Sequence, residues 1–566
     1  MPLLCYNQAM SEVQAYLAID ISAYHNRWIA VVYGQVAGVG LTAEQAYRAA
    51  KRIRPKRKPH LMFINNQGKR VLGKEWLTQQ PLLKQVVDIL QDRQIESYLV
   101  GGAVRDMLLG RTVVPDLDFV VPKNGLKTAR FVADTLGGAF YALDESRDTG
   151  RVICNDAHKS HLDFSSYRGP DLLTDLAVRD FTINAIALKL DHTFELIDPF
   201  QGQVDIELKR IQLVSDEALQ NDPIRVLRAV RQSIQLNFTI EPKARRQIKV
   251  VSPLIMETVS PERQRDELVK LFNTPTPGQA LKRLHELAVL SHIMPEVSDM
   301  VGVAQSAPHY LDVFDHTVAT LDVWEANLLP SIDFDAHPLS ELAPWRAELE
   351  TYLNQQLAGN ISYKALVPFA ILLHDTGKPM TQSHDDGKIR FLGHEQESVK
   401  IARQIMTNLR FSGEAIAFVT MIVKNHMRPL TLSQQDKVSR RAIYRLFRAN
   451  RYKSVQSGIA LALHALADHY GTYPAGKGQG NEKKLLAIVL DLFKAYFEQN
   501  DKLVNPSPIL TGRDIIDRFN IEQGRLIGRL IRELREAQAI GTVTDETSAI
   551  EFITSALEHI RSGDGN

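Results

Sequence analysis

Apolar and polar positions follow one pattern up to about residue 204 and another pattern after it. In the first part, short apolar runs alternate with amphipathic segments, which predicts a small mixed sheet with helices on one side. From about residue 205 onward, apolar residues recur at intervals of three and four, which predicts helices. The predicted helices are Asp222–Leu236, Glu262–Phe272, Pro277–Leu290, Tyr363–His374, His394–Leu409, Arg440–Arg448 and Arg525–Ala539.

The first part also contains strand-like pieces joined by polar segments. The predicted elements are the helix Pro81–Arg93, the helix Leu126–Leu136 and the strands Ala139–Leu143, Arg151–Cys154 and His161–Ser165. Residues 144–150 are polar, which predicts a mobile connection. Further along, residues 330–360 are interpreted as an insertion or linker, and residues 473–480 as a loop.

One apolar run ends in a pattern that suits phosphate binding. Tyr98–Val100 is followed by Gly101 and Gly102, and then by a short amphipathic segment with Arg105 near its start. Paired glycines let backbone approach a ligand closely, and the start of a helix offers free N–H groups. We therefore interpret Gly101, Gly102 and Arg105 as candidate nucleotide-binding residues.

Two carboxylates follow on the next predicted strand. Side chains at alternate positions of a strand face the same way, so Asp116 and Asp118 are expected to point together while Leu117 enters the core. Paired carboxylates repel unless a cation lies between them, and Mg²⁺ with substrate phosphates suits that position. Asp163, which alternates with apolar neighbours, is a candidate third carboxylate or a solvent-facing residue at a strand end.

Composition limits the class of protein. At 566 residues the chain exceeds the size of one core, so several domains are expected. Its formal net charge is +1, so any RNA-binding surface must be local. Only Cys5 and Cys154 occur, which favours a reducing cytoplasm without a disulfide framework. The pattern predicts neither a signal peptide nor a membrane span.

Residues 1–70 are expected to form a small α/β extension of unknown role. Residues 27–40 predict two strands joined by a turn at a glycine, and Thr42 is the expected cap of a helix through Lys51. The basic run Lys51–Pro59 and a strand, His60–Ile64, follow. The basic run is interpreted either as an RNA contact or as a solvated connector.

The glycines, the arginine, the short helix and the Asp-x-Asp strand together resemble the signature of the polymerase-beta nucleotidyltransferase superfamily. In detail, residues 85–566 resemble the class II tRNA nucleotidyltransferase and bacterial poly(A) polymerase family. Further stretches that match this family's motifs are Asp171–Ala185, Asp198–Gly202, Asn221–Arg231 and Pro261–Leu268. The resemblance implies a multidomain α+β protein with a polymerase-beta-like head, an all-helical neck, an HD domain and a tail.

The second of these motifs keeps one of the family's two basic residues. Val178 replaces the first and Arg179 is the second. The resemblance implies that Arg179 contacts the triphosphate and that Asn184 braces the sugar or the strand. It also implies two Mg²⁺ ions at Asp116 and Asp118, one activating the RNA 3′-hydroxyl and one bridging the triphosphate.

The Asn221–Arg231 motif predicts selection of the base. On a helix, Asp222 and Arg225 would share a face. Asp accepts from an exocyclic amino group and Arg donates to ring acceptors, so the pair favours CTP and ATP over GTP and UTP without a template. Asn221 replaces the family's usual Glu. Arg228 and Arg231 continue the face, either as triphosphate contacts, which the resemblance implies, or as a salt-bridged surface.

A series of histidines and aspartates resembles the HD phosphohydrolase domain. In chain order, its candidate metal ligands are His316, His374, Asp375, His394, His426 and Asp468. The resemblance implies one or two divalent transition ions of the Ni²⁺, Mn²⁺ or Co²⁺ type, with an open position for water. The alternative is a retained fold that serves as an RNA-binding body.

The resulting hypothesis is a cytoplasmic enzyme that adds C and A from CTP and ATP to the 3′ end of tRNA, with no membrane or protein partner indicated. The alternatives are an A-adding, CC-adding or poly(A)-adding variant, an HD phosphohydrolase with a nucleotide-binding head, and a non-enzymatic RNA scaffold. The expected domains are residues 1–70, 80–204, 205–300, 301–475 and 481–566. The arginines of the tail are interpreted equally as tRNA contacts or as a solvated face: Arg525, Arg529, Arg532 and Arg535.

Overall fold

The computed structural model divides into two compact units, residues 1–251 and residues 252–566, which are described separately. No helix among the described residues is long and apolar enough to cross a membrane. The structure describes residues 21, 23–25, 27–33, 35–41, 43–57, 59–64, 70–71, 80–111, 116–156, 159–191, 194–328, 339–435, 437–473 and 479–561.

The first unit begins with a small antiparallel sheet. Its strands are β1 (Arg27–Val32), β2 (Gln35–Gly40), β3 (His60–Ile64) and β4 (Arg70–Val71), in the order β2-β1-β3-β4. The helix Ala43–Ile53 packs on this sheet through alanines, and a Cβ at Gly38 would lie 2.2 Å from the carbonyl oxygen of Ala46. Glycine is therefore required for this close packing. The expected cap Thr42 and the expected turn at Gly34 lie outside the described residues.

A mixed seven-stranded sheet forms the centre of the first unit, as predicted. Its order is β11-β10-β5-β6-β9-β8-β7, and only β6 and β9 pair in parallel. The strands are β5 (Tyr98–Val100), β6 (Asp116–Val121), β7 (Ala139–Asp144), β8 (Thr149–Ile153), β9 (His161–Ser166), β10 (Ala187–Lys189) and β11 (Leu196–Ile197). The accompanying helices are Pro81–Asp92, Gly102–Leu108, Gly125–Leu136, Leu172–Ala177 and Gly202–Glu207, with a 3₁₀ turn at Thr182–Asn184.

The polar connection between β7 and β8 is shorter than predicted, because both strands extend into it. Asp148 in this turn accepts hydrogen bonds from the backbone N–H groups of Gly125 (2.8 Å) and Leu126 (3.0 Å). These are donors at the start of a helix, which lack partners within it. The connection is therefore anchored to that helix.

The structure corrects the sequence prediction at the Asn221–Arg231 motif. Helix Asp222–Leu236 was expected, but the observed helices are Ala218–Asn221 and Arg225–Gln235, and Asp222 is extended between them (φ −153°, ψ 92°). The reason is Pro223, because proline disfavours helical backbone at the preceding residue. The unit ends with the helix Pro242–Val251 and a parallel pair of short strands, Arg210–Ile211 and Thr239–Ile240.

The second unit is mainly helical. Its helices are Leu254–Thr258, Pro261–Phe272, Pro277–Glu286, Leu290–Ile293, Pro295–Ser298, Val313–Asn327, Arg346–Leu353, Tyr363–Leu373, Lys378–Thr381, His394–Asn408, Gly413–Asn425, Met427–Ser433, Arg440–Ala449, Gly458–Thr472, Gln479–Phe493, Gly512–Phe519, Arg525–Ile540 and Glu546–Arg561. The predicted helix Pro277–Leu290 is broken near Ala288, which has a positive φ of 56°.

Shorter elements complete the second unit. A 3₁₀ helix, Ser340–Trp345, and the helix after it fall in the segment predicted as a linker, so that part is folded. π-helical turns occur at Lys494–Glu498 and Asn500–Val504. The described part of this unit also contains small hairpins: Gln356–Leu357 with Ile361–Ser362, Ser383–Asp385 with Lys388–Arg390, and Arg451–Tyr452 with Val455–Gln456.

Candidate functional site

Gly101 lies where backbone, carboxylate and guanidinium meet. It follows β5 with a φ of +73°, and a Cβ built on it would lie 3.3 Å from Asp118 Oδ2 and 3.3 Å from Arg179 Nη1. Residues with a Cβ rarely adopt this φ, and the space beside it is already filled. The neighbouring Gly102 faces the guanidinium of Arg105, which would lie 3.4 Å from a Cβ added there. The structure thus brings both predicted glycines next to predicted site residues.

The two carboxylates of β6 share one face. Asp116 and Asp118 are exposed, whereas Leu117 between them is buried. In the parallel register with β9, Asp116 lies opposite His161 and Asp118 opposite Asp163. His161 Nδ1 is 3.6 Å from Asp116 Oδ1. The alternation expected from the sequence is therefore observed.

The acid cluster affects the pKa of Asp118. Burial among the surrounding protein atoms raises that pKa, although part of the residue is exposed to solvent, and repulsion from Asp163 raises it further. Arg179 offsets part of this effect. A carboxylate whose charged form is disfavoured in this way gains from a bound cation, and oxygen donors suit Mg²⁺. The residues present therefore fit the metal that the sequence predicted.

Asp163 is held by an arginine that no sequence motif singled out. Arg151, opposite it on β8, donates from Nε to Oδ1 and from Nη2 to Oδ2, both at 2.7 Å. Such paired hydrogen bonds fix both the position and the charge of a carboxylate. The signal was the alternation of strands β8 and β9, but their register could not be read from the chain.

Asp180, another residue that the sequence did not single out, connects several of the predicted site residues. Asp180 is buried and accepts from Arg228 Nη2 at 2.7 Å and from Asn184 Nδ2 at 2.9 Å. Asn184 Oδ1 in turn accepts from Arg105 at 2.7 Å. Although burial opposes ionisation, Arg228 and Asn184 hold the pKa of Asp180 well below its usual range. Asp180 thereby connects three of the predicted nucleotide-binding residues.

Arg179 is oriented by a separate buried carboxylate. It donates to Asp175 Oδ2 at 2.9 Å, and Arg168 donates to Asp175 Oδ1, also at 2.9 Å. Despite burial, these two arginines lower the pKa of Asp175. Asp175 therefore fixes the orientation of the Arg179 guanidinium, which lies beside Gly101 and Asp118.

Arg225 is anchored to backbone rather than to a helix face shared with Asp222. Its guanidinium donates to the carbonyl oxygens of Val178 (2.7 Å), Ala218 (3.0 Å) and Arg179 (3.1 Å). Asp222 lies near it because of the turn at residues 222–224, and its charge favours the protonated form of Arg225, whose pKa is lowered overall by burial. The two residues are close, but for a different reason from the one predicted.

Arg231 differs from its predicted partners. It donates to Gln235 Oε1 of its own helix at 2.7 Å. This contact is typical of the surface alternative, and a triphosphate role for Arg231 stays a prediction. In the tail, Arg529 pairs with Glu533 at 2.8 Å, so the two interpretations of that helix also stay open.

The second unit brings all six predicted HD ligands together. They form two buried or partly buried trios whose ligand atoms lie within 4.8 Å of one another: His316, His374 and Asp468, and Asp375, His394 and His426. Histidine nitrogens with carboxylate oxygens are a donor set for divalent transition ions. The pattern predicted from the sequence is therefore observed as one centre.

The histidine rings in this centre are oriented by backbone. Nδ1 lies 2.7 Å from Ile371 O in His374, 2.8 Å from Phe391 O in His394 and 2.7 Å from Val423 O in His426. A carbonyl oxygen only accepts, so Nδ1 carries a proton in each ring, which leaves Nε2 as the nitrogen that can bind a metal when the ring is neutral. Ligating histidines are commonly oriented in this way.

Asp375 lies between the two trios. Its Oδ2 is 3.1 Å from His374 Nε2 and its Oδ1 is 3.4 Å from His394 Nε2. Despite these close approaches, neither of the buried atoms His374 Nε2 and Asp375 Oδ1 makes a hydrogen bond of good geometry with a described residue. Buried polar atoms without partners are costly, and a bound cation would satisfy both. The two trios, with Asp375 placed between them, therefore fit divalent cations, which these residues would hold.

Three residues around this centre were missed. Lys378 Nζ lies 2.6 Å from Asp375 Oδ2, and the ring of His309 is 5.0 Å from that of His316. His464 is fully buried, with its ring 5.0 Å from that of His374. Its spacing of four from Asp468 on one helix was the signal. The centre opens into a cleft of about 730 Å³ that Lys378 and His309 also line.

Family models match three parts of the chain. A model described as the poly A polymerase head domain matches residues 97–212. A model described as a probable RNA and SrmB-binding site of polymerase A matches residues 237–300. An HD domain model matches residues 352–496.

Curated relatives match over most of their length. An A-adding tRNA nucleotidyltransferase of Deinococcus radiodurans is 30% identical over 80% of this chain and 94% of its own. A CC-adding tRNA nucleotidyltransferase of Synechocystis is 29% identical over 81% of this chain and 92% of its own. A multifunctional CCA protein of Halorhodospira halophila is 30% identical over 59% of this chain and 74% of its own.

Solved structures share the fold. A CCA-adding enzyme in complex with ATP has a TM-score of 0.54 at 22% identity, covering 86% of this chain and 99% of that chain. A complex of such an enzyme with CTP has a TM-score of 0.53 at the same identity, covering 86% and 98%. The arrangement of a mixed-sheet head and a largely helical remainder is thus a known one.

Proposed function

The chain belongs to the tRNA nucleotidyltransferase family, and from that premise we propose that it adds C and A from CTP and ATP to the 3′ end of tRNA without a template. The observation that carries this proposal is the meeting of Asp118 and Arg179 at Gly101, with Asp116 on the same strand face. A pair of carboxylates faces a fixed guanidinium there. That is the arrangement a nucleotide triphosphate and its cation require.

The reaction is one displacement at phosphorus. The 3′-oxygen of the RNA attacks the α-phosphorus, the bond from that phosphorus to the bridging oxygen breaks, and pyrophosphate leaves. When bound, Mg²⁺ lowers the pKa of the 3′-hydroxyl and neutralises the triphosphate. Asp116 and Asp118 are the residues that would hold it, with Asp163 beside them.

The chain's cationic residues orient the triphosphate. Arg179 is fixed by Asp175, while Arg105 and Arg228 are connected through Asn184 and Asp180. Guanidinium groups held in this way lose little freedom on meeting phosphate oxygens. Positioning and charge neutralisation are most of what phosphoryl transfer asks of a protein.

Base selection is assigned to Asp222 and Arg225. The Arg225 guanidinium donates hydrogen bonds to the carbonyl oxygens of residues 178, 179 and 218. It is therefore fixed against the backbone segment that carries Arg179. Asp222 would accept from the amino group of cytosine or adenine, and Arg225 would donate to the adjacent ring acceptor. GTP and UTP would leave these groups unpaired, which is costly.

The test is an incorporation assay on three tRNA substrates, ending before CCA, after one C and after CC. CTP alone, ATP alone and both together are supplied, and products are resolved at single-nucleotide length. Two C additions followed by one A on the shortest substrate support the proposal. The proposal is refuted if CTP is incorporated on none of the three substrates, or if ATP is incorporated on none of them.

A restricted activity is the second candidate. The Deinococcus and Synechocystis relatives, each matched over more than nine-tenths of its length, are named A-adding and CC-adding respectively. An A-adding enzyme would extend only the substrate ending in CC, and a CC-adding enzyme would stop after the second C. A poly(A) polymerase would give a ladder of A additions. The same assay therefore distinguishes all of these.

The HD centre is proposed to hold two divalent transition ions of the Ni²⁺, Mn²⁺ or Co²⁺ type and to hydrolyse a phosphate ester. The buried atoms His374 Nε2 and Asp375 Oδ1, which make no hydrogen bond of good geometry, support ion binding, and the open cleft supports a substrate. Bound ions supply a nucleophilic water at neutral pH. Opening of 2′,3′-cyclic nucleotides to nucleoside monophosphates, and release of phosphate from phosphomonoesters, are measured with each metal added in turn. No product from either substrate class with any metal leaves the RNA-binding alternative.

A further inference from the structure

One stretch near the start of the chain is rich in basic residues and contains no acidic residue. Lys and Arg total 67 and Asp and Glu total 66, yet no acidic residue occurs between Glu44 and Glu75. The ten basic residues within this stretch are Arg48, Lys51, Arg52, Arg54, Lys56, Arg57, Lys58, Lys69, Arg70 and Lys74. A local excess of this kind attracts a polyanion even when the whole protein is nearly neutral.

The fold exposes the described part of this stretch. Helix Ala43–Ile53 buries Ala46 and Ala50 against the small sheet, and every residue from 52 to 57 is exposed. Lys51 Nζ donates to Pro55 O at 2.9 Å, which fixes the turn after the helix. The cationic side chains thus belong to a folded helix and the turn that follows it.

The exposed cations are not used to stabilise the module. Within the described part of the chain, no carboxylate pairs with Arg52, Arg54 or Lys56. Lys51 differs, because it closes the helix end. A solvated connector has no need for three such residues so close together with no compensating acid. An anionic partner would supply the missing charge.

An aromatic ring lies within the same surface. Tyr33, in the turn between β1 and β2, is 46% exposed, and the guanidinium of Arg57 lies 5.0 Å from its ring centroid. An arginine plane on an exposed aromatic ring forms a surface on which bases stack. Ala46 and Ala50 of the neighbouring helix pack on the sheet, while Ile53 at its end is exposed beside the cations. The arginine on the exposed ring favours RNA over a lipid surface.

We propose that residues 51–57 together with Tyr33 form a separate RNA-binding surface that contacts the sugar–phosphate backbone of the tRNA substrate. The identity of that RNA rests on the proposed function, whereas the surface itself rests on charge and exposure. Its contacts do not depend on the nucleotide sequence, because phosphate groups carry no sequence information. The surface raises affinity for the tRNA and takes no part in nucleotide selection.

The test compares two triple variants of the full-length chain. One is Arg52→Gln/Arg54→Gln/Lys56→Gln, and the other, with the same charge change on exposed lysines elsewhere, is Lys400→Gln/Lys424→Gln/Lys483→Gln. Binding of labelled tRNA is measured by fluorescence anisotropy over a range of KCl concentrations. All substituted residues are exposed, so both variants are expected to fold, which circular dichroism and thermal melting check.

The first variant is expected to bind tRNA at least about tenfold more weakly at 0.15 M salt, with its log K against log[salt] slope reduced by about 2–3. The control is expected to match the unmodified chain. Incorporation at saturating tRNA and the KM for nucleotide are expected to be unchanged. Equal affinity and slope in the two variants would overturn the proposal.

Two further arms separate this inference from the proposed function. If the unmodified chain binds tRNA but incorporates no nucleotide, the proposed function fails while the binding comparison still decides the surface. The same comparison is made with duplex DNA of equal charge. Loss of affinity for the DNA alone, with tRNA binding intact, would contradict the assignment to RNA.

Discussion

Asp118 and Asp163 lie side by side in the parallel pair β6 and β9, and Arg151 holds Asp163 by two hydrogen bonds of 2.7 Å. The repulsion between the two acids contributes to the raised pKa of Asp118. Arg151 also interacts favourably with Asp116 and Asp118. One arginine therefore limits the electrostatic cost of placing three carboxylates together.

Removing Arg151 is expected to shift the pH dependence of the reaction. With Arg151→Gln the positive charge is lost, so the pKa of Asp118, already raised, rises further. The ionised form is needed to hold a cation, and it disappears as pH falls through the raised pKa. The acid limb of log kcat against pH is thus expected to move to higher pH, with the KM for tRNA unchanged. A profile identical to that of the unmodified chain would show that Arg151 has no influence on Asp118.

Gly101→Ala is expected to reduce nucleotide incorporation by about a hundredfold, because the added methyl crowds Asp118 and Arg179 at 3.3 Å. Gly137→Ala is the matched control. Gly137 has a similar φ of +67°, but a Cβ added to it would meet nothing within 4 Å. Both changes carry a similar backbone strain of about 1–2 kcal/mol. Equal activity loss in the two variants would show that strain alone, and not crowding of the site, is responsible.

Asp222→Asn is expected to weaken discrimination against UTP. An amide can present either an acceptor or a donor to the base edge, so the penalty for the wrong pattern falls. The ratio of kcat/KM for CTP over UTP is expected to drop by about 10²-fold. Arg231→Gln, which changes a residue that contacts Gln235 of its own helix, is expected to leave the ratio unaltered. An unchanged ratio for Asp222→Asn would refute the assigned role.

Asp375→Asn is expected to abolish metal retention by the HD centre, because Asp375 lies between the two trios of ligands. Metal content after gel filtration is measured by plasma mass spectrometry. His384→Ala, on an exposed hairpin, serves as control. Nucleotide incorporation by Asp375→Asn is expected to persist. Equal metal content in the two variants would contradict a centre at Asp375.

Alternation and spacing explain what the sequence could predict. The exposed, buried, exposed order of Asp116, Leu117 and Asp118 follows from strand geometry alone. The mixed sheet, and the bounds of most of the helices that were predicted, follow from the hydrophobic period. The HD ligands are spread over distant parts of the chain, and only the family resemblance brought them together before the structure did.

Strand register and backbone contacts explain what the sequence could not predict. The pairing of Arg151 with Asp163 depends on which residues of β8 and β9 face each other. The three carbonyl partners of Arg225 belong to distant segments, so no local pattern encodes them. Pro223 was a local signal against a helix at Asp222, and it favours a helix start at Arg225 instead.

Incorporation of labelled CMP and AMP by Asp116→Asn and Asp118→Asn is the most direct test of the central claim. Both changes keep side-chain shape and remove charge, and Asp134→Asn, on an exposed helical face, is the control. Each of the first two variants is expected to lose at least about 10³-fold in rate at saturating tRNA and nucleotide, with the control unaffected. Incorporation at the unmodified rate by Asp118→Asn would contradict the account.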